Sequence, residues 1–416
     1  MFEFGRDLRK LFEKARESED LGWLELIGPD LVQIEARREA VDAGRVSARR
    51  PFDGWMRASA LWREHARRTG SRASLERAAS AASDAARQTG DLDQTAAAAI
   101  ESAAIHLLRF DLFGGPATLT AALSDLQALT CERAATRSSA AALHARVSAR
   151  RARLCGETSA LMDAAALLDA AVHDARVLPP PVADELRLDR AALLLEAGVA
   201  RRDPRMLDQA GRDLRALVET ASPDQRPLTR ARALALAGAG MVALANLARD
   251  TTAAAQGRAL FDAAADQFTP DHSPLDWAAV LLAGVAEHSP LIVLAQAEAM
   301  TCEPGLLLGA LVRERRLAAE AATAEALGDV RGLVGLEAAV HRRLSEPGRA
   351  RPLDWAADQI SMAKLAMARA RLTGTPARMV GLMLAEALET AREEGAPALA
   401  DRAVLAMPEA AGRPAA

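Results

Sequence analysis

The sequence predicts an all-α chain, a solenoid of about eight helical hairpins behind an N-terminal helical cap. Three observations carry that prediction. The chain has 416 residues, more than the ~250–300 that a single hydrophobic core organises, so it is either several domains or an elongated array. Aromatic residues are 3% of it and Tyr is absent, which argues against the aromatic and β-branched diet of an all-β fold. Alanine, the best helix former, dominates, and a helix-start phrase recurs along the chain.

The first 50 residues lack that phrase and hold Phe2, Phe4, Phe12 and Trp23. They are expected to form a cap of two helices, over 3–17 and 20–43. Phe4, Leu8, Leu11 and Phe12 share one side of the first, with Arg6, Arg9, Lys10 and Lys14 nearby. Glu3, Asp7, Glu13 and Glu17 nearly cancel that charge, which favours a cap over a membrane-surface helix, because a solenoid end must be covered.

The recurring phrase occupies 69–78, 114–123, 155–165, 202–211, 249–259 and 373–382. Each copy has a breaker, then a polar residue or Pro, then an apolar anchor, the pattern of a helix stop followed by an N-capped new helix. Taking Leu75, Leu119, Leu161, Leu207, Ala254, Leu294, Leu333 and Met379 as anchors, the spacings are 44, 42, 46, 47, 40, 39 and 46. That leaves room for one preceding helix and a short turn per anchor, as in helical-repeat arrays. Within single helices the period agrees. Ile100, Leu107 and Phe110 share a stripe over 92–112, and Leu143, Val147 and Leu154 do so over 134–154. A solenoid over 51–407 and a frayed tail over 408–416 complete the division.

A second repeat is literal. Pro274-Leu275-Asp276-Trp277-Ala278 returns as Pro352-Leu353-Asp354-Trp355-Ala356. Pro suits a first helical turn, Asp favours the positive end of the helix dipole, and Trp277 and Trp355 anchor the helix on a neighbour. A Pro-Leu-Asp-Trp-Ala opening of a long helix, followed by a second helix, resembles bacterial tetratricopeptide-type (TPR-like) repeats. Those usually carry Asn-Leu-Gly seven residues after the Trp; here Met362-Ala363-Lys364 and Gly284-Val285-Ala286 stand there. The spacings also exceed the usual ~34 residues. The resemblance covers 50–407 in architecture, and 273–292 and 350–391 in motif. It implies a right-handed solenoid, here with the long repeats of 39–47 residues that the anchor spacings give, whose first helices line a concave surface, and a role as a sensor or adaptor module.

Net charge is −4 and the pI about 6.1, so no global basic field draws the chain to nucleic acid. Of the 52 cationic residues 49 are Arg, which with the Ala bias suggests a high-GC bacterial source. Cys131, Cys155 and Cys302 are odd in number and far apart, as expected of small buried thiols in a reducing cytoplasm. No apolar signal-type region opens the chain and no membrane span is expected.

Catalytic, cofactor and metal residues are not expected. His65, His106, His144, His173, His272, His288 and His341 form no local ligand cluster. Gly238-Ala239-Gly240 lacks the third Gly and the preceding strand of a dinucleotide loop; it suits a close helix crossing instead. Glu393 and Glu394 are adjacent and diverge on a helix. Arginine clusters carry the functional pull. Arg146, Arg150 and Arg153 follow i, i+4, i+7, and Arg313, Arg315 and Arg316 form a second group. A guanidinium fork suits carboxylate or phosphate, so Arg146, Arg150, Arg153, Arg313 and Arg316 are candidates for partner contact, against an intramolecular role as ion-pair partners. Leu75, Leu119, Leu161, Leu207, Trp277 and Trp355 are assigned to packing between repeats. The expected function is non-enzymatic: a scaffold or adaptor that binds a protein or peptide on the concave surface, with homo-oligomerisation open. The alternative is a regulator that senses a ligand or peptide and changes its association state.

Overall fold

The computed structural model describes residues 21–127, 129–284, 291–346 and 351–410. Among them there are eighteen α-helices and no strand. They are Pro29–Ala43 (α1), Pro51–Thr69 (α2), Arg72–Ala86 (α3), Leu92–Phe113 (α4), Ala117–Gln127 (α5) and Ala134–Cys155 (α6). Then come Thr158–Asp174 (α7), Pro180–Arg201 (α8), Pro204–Thr220 (α9), Pro227–Ala248 (α10), Thr251–Ala265 (α11) and Pro274–Gly284 (α12). The last six are Leu291–Met300 (α13), Leu307–Ala326 (α14), Val330–Ser345 (α15), Pro352–Thr373 (α16), Val380–Glu393 (α17) and Pro397–Ala410 (α18). A short 3-10 turn, Leu21–Leu26, precedes α1.

The breakers act as the phrase requires. Gly70, Gly156 and Gly374 stop α2, α6 and α16 in the left-handed conformation. Arg202 and Arg249 take the same conformation after α8 and α10, where a side chain costs roughly 1–2 kcal/mol. Ser71, Asp203 and Asp250 then cap α3, α9 and α11 by accepting from amides of the first turn.

Each helix packs against the next, and α2, α4, α6, α8, α10, α12, α14 and α16 also touch one another in sequence. Leu75, Leu119, Leu161 and Leu207 are buried in these joints. Trp277 and Trp355 are half-buried, one packed on the cluster that holds Phe261 and Phe268, the other on the cluster that holds Ile360 and Leu399. Gly238 makes the close crossing: a Cβ there would lie 3.0 Å from the carbonyl oxygen of Gly257 on α11.

Four expectations change. Met379 is not an anchor. It is 60% exposed and left-handed at φ 69°, and Val380 and Leu384 face inward instead. The last helix runs to Ala410, three residues into the expected tail; 411–416, like the cap helix expected over 3–17, lie outside the described residues. Cys155 and Cys302 are exposed, because one ends a helix and the other lies in a turn. The cap helix expected over 20–43 is split into the 3-10 turn Leu21–Leu26 and α1 from Pro29. Among the described residues α10 is the one helix long and apolar enough to cross a membrane. It packs along α8, α9 and α11, and its Arg232 pairs with Asp276.

The stack does not run straight. α2 meets α12, and α4 meets α14. The α2–α3 turn rests on Leu275 and Leu306 at Gly70, and the Gly115 amide donates to the Glu394 carbonyl at 2.9 Å. Leu112, Leu275 and Leu306 form a small apolar core along this seam. The chain thus coils back on itself, and its helices surround an interior.

Candidate functional site

The interior holds a chamber of about 460 Å³ that is broadly open to solvent. Its apolar wall comes from Leu188, Leu236, Phe261, Phe268 and Val280. Ala239, Ala279 and Ala283 are exposed on it; small residues there keep the space open. Its polar wall holds Arg67, Arg146, Arg150, Arg153 and Arg232 with Glu185, Asp189 and Asp276. A smaller cavity of about 170 Å³ lies on the other side of Arg67, Glu185 and Arg232, which line both.

The charges of this wall form a ladder. Arg146 donates to Asp189 and Glu185, each at 2.7 Å. Arg150 grips Asp111 through Nε and Nη2 and reaches Asp189 at 2.9 Å. Arg232 holds Asp276, and Arg67 holds Glu64 through two bonds. Burial works to raise the Asp189 carboxyl, but Arg150 and Arg146 hold it at about 2. Burial opposes the ionised Glu64 too, yet Arg67 and Arg68 keep its carboxyl well below the usual range. Arg150 is raised against its own burial by Asp111 and Asp189. Both signs are therefore fixed as charged, hydrogen-bonded groups beside an apolar surface. Such a wall can orient a ligand's polar group without first reorganising.

The structure brings Arg146, Arg150 and Arg153 together on the chamber wall. Arg153 Nε lies 2.7 Å from a Glu196 oxygen without the alignment of a hydrogen bond. Arg313 and Arg316 line none of these cavities. Arg313 pairs with Asp354 at 3.2 Å, and Arg316 with Glu298 and Glu320. All five thus have carboxylate partners, most of them one unit along the chain. The Asp of each Pro-Leu-Asp-Trp-Ala copy does the same work. Asp276 binds Arg232 and Asp354 binds Arg313.

The sequence reading missed Glu185, Asp189, Phe261 and Phe268. It also missed Glu25, in the 3-10 turn. The Glu25 carboxylate accepts from Arg226 Nε at 2.6 Å, from the Thr229 amide at 2.8 Å and from Thr229 Oγ1 at 2.6 Å. It caps α10 from 204 residues away, where Arg226 at the N-cap position offers no side-chain cap. Fully buried Arg68 fastens the same turn by donating to the carbonyls of Leu24 and Ile27. Asp93 fastens the turn before α6, accepting from the Glu132 and Arg133 amides.

Among the described residues no group of three or more His, Cys, Asp or Glu is placed to hold a metal ion. No protein-family model matches the chain, and no curated protein is significantly similar to it.

Proposed function

We propose that the chain is a non-enzymatic recognition module, a right-handed, TPR-like solenoid of eight helical hairpins that takes a peptide segment of a partner protein against its concave surface. The observation that carries this reading is the chamber: an apolar wall facing a ladder of fixed Arg–carboxylate pairs, all on the first helices of successive hairpins. An apolar side chain would fill the pocket between Phe261, Phe268 and Val280, and the backbone or a charged neighbour would bond along the ladder. Such anchors carry most of the energy of an interface.

The second reading, a sensor of a small ligand or short peptide, is favoured by the seam. Contacts of α2 with α12 and α4 with α14 limit access from the side, and about 460 Å³ is within the range of small-molecule pockets.

The test is peptide display against the full chain, repeated with Ala279→Trp. Ala279 is exposed on the chamber wall, so the indole fills the chamber without opening the core. Selected peptides should lose binding to the variant by at least about tenfold, roughly 1.4 kcal/mol. Equal binding to both proteins would put recognition elsewhere. For the sensor reading, a metabolite that raises the melting temperature of the wild type but not of Ala279→Trp is the expected result.

A further inference from the structure

Shielded arginines in this chain meet carboxylates: Arg63 meets Glu101, Arg68 meets Glu64, Arg190 meets Asp213 and Arg343 meets Asp358. Arg72 and Arg109 do not. Neither makes an ion pair or hydrogen bond among the described residues, and the Nε of each is buried without a partner. Burying such a donor unpaired is unfavourable.

The two are neighbours. The Arg72 guanidinium, from the first residue of α3, lies over the Phe113 ring with Cζ 4.0 Å from its centroid. Arg109 sits one turn before Phe113 on the same face of α4. Arg351 arrives from the far side of the seam: beside Gly305, its Cδ and the Arg72 Nη2 lie 2.6 and 3.5 Å from where a Cβ would stand. Burial first, then Arg351, push the Arg72 guanidinium below its ordinary value; Glu303 opposes them, Arg109 adds to the fall, and Glu76 opposes it again. Three guanidiniums gathered in a partly dry place, only partly offset by two carboxylates, leave room for an anion.

Arg109 also lines a cavity of about 390 Å³, walled by α3 and α5 and floored by α4. Its floor runs from Thr95 to Arg109, about 21 Å at 1.5 Å per residue. Ala98 and Ala99 on the floor and Ala79 and Ala82 on the α3 wall make it apolar. His106 lines it too, with Nδ1 buried and unpartnered. Asp125, which accepts from Ser102 at 2.9 Å, stands 3.7 Å from His106 Nε2. Its charge disfavours an anion at the middle of the groove and leaves the Arg109 end as the place for one.

We infer that this groove binds a small phosphomonoester, with the phosphate between Arg72 and Arg109 and the organic part along the alanine floor. Two guanidinium forks match the oxygens of a dianion, whereas a carboxylate neutralises only one of them. The inference is independent of the chamber, which shares no lining residue with the groove.

The test is titration calorimetry of the full chain with phenyl phosphate, inorganic phosphate and phenylacetate at fixed ionic strength. Phenyl phosphate should bind most tightly, inorganic phosphate about tenfold or more weaker, and phenylacetate weakest. Arg72→Met and Arg109→Met should each weaken phenyl phosphate by at least about tenfold, while Arg212→Met, at an exposed ion pair, should not. Arg109→Lys, which keeps the charge and loses the fork, should fall between, and this variant preserves the fold if the Met variants do not. Phenyl phosphate binding no better than phenylacetate, or undiminished in the Arg109 variants, would overturn the site. Equal affinity for inorganic and phenyl phosphate would overturn the groove's part in it, and with it the ester.

Discussion

Replacing Glu25 with Ala tests the long-range cap. The Glu25 and Arg226 side chains are 9% and 15% exposed, so water does not readily replace the lost carboxylate. Three hydrogen bonds disappear, those from Arg226 Nε, the Thr229 amide and Thr229 Oγ1. Bonds to a charged group contribute about 1.5–3 kcal/mol each, but the sum overstates the loss. Arg226 Nη1 keeps Asp184 at 3.2 Å, so that cation retains a partner. The uncompensated cost falls on Thr229, which is buried and whose amide is one of the four that α10 leaves unpaired at its start. The expected loss is about 2–3 kcal/mol. Local opening should then speed exchange of the Thr229 amide by about two orders of magnitude, at roughly 1.4 kcal/mol per factor of ten. Hydrogen exchange with mass spectrometry over 21–28 and 226–231 reads this directly. Unchanged exchange at Thr229, with a melting temperature equal to wild type, would refute the claim that the 3-10 turn caps α10.

Acid should weaken the ladder. Asp189 is held at about 2, below the ~3.9 of a free Asp, so its contribution is complete above pH ~4 and is lost as pH falls toward 2. That is about 2–3 kcal/mol, and Asp189→Asn should abolish this part of the pH dependence in urea titrations between pH 2 and 5. Met379→Gly should be neutral or stabilising by up to ~1 kcal/mol, since it relieves a left-handed side chain that buries little; a clear loss in a thermal melt would show a contact that exposure does not reveal. Gly211, on an open face of α9, should gain roughly 0.5–1 kcal/mol as Ala. Gly238→Ala should instead lose about 1–3 kcal/mol by crowding Gly257, and equal effects in chemical denaturation would remove the close crossing from the account.

The helices were legible because stop and start signals sit beside a clear period. The stripes of 92–112 and 134–154 ended one residue short of Phe113 and Cys155. The 373–382 phrase misled because Pro376 lies in the turn before α17, and a Pro in that turn reads like one in the first helical turn. The arginines of α6 were legible as one face, since 146, 150 and 153 share it at 3.6 residues per turn. Their carboxylates were not. Asp111 lies 39 residues before Arg150 and Glu185 39 after Arg146, and a helical wheel shows which residues share a face but not what stands opposite. The seam left no local trace at all. Gly70 meets Leu275 and Leu306 only because of rotations summed over many helices, and no window of sequence contains such a sum.

That closure has a consequence for how the chain can change. An open array tolerates gain or loss of a copy, since each one depends only on its nearest neighbours. Here, deleting or duplicating one helix pair between α4 and α12 would carry Leu275 and Leu306 away from Gly70 and displace Glu394 from Gly115. The number of copies is locked by a clasp between distant parts of the chain, so length variants should be tolerated beyond the clasp and selected against inside it.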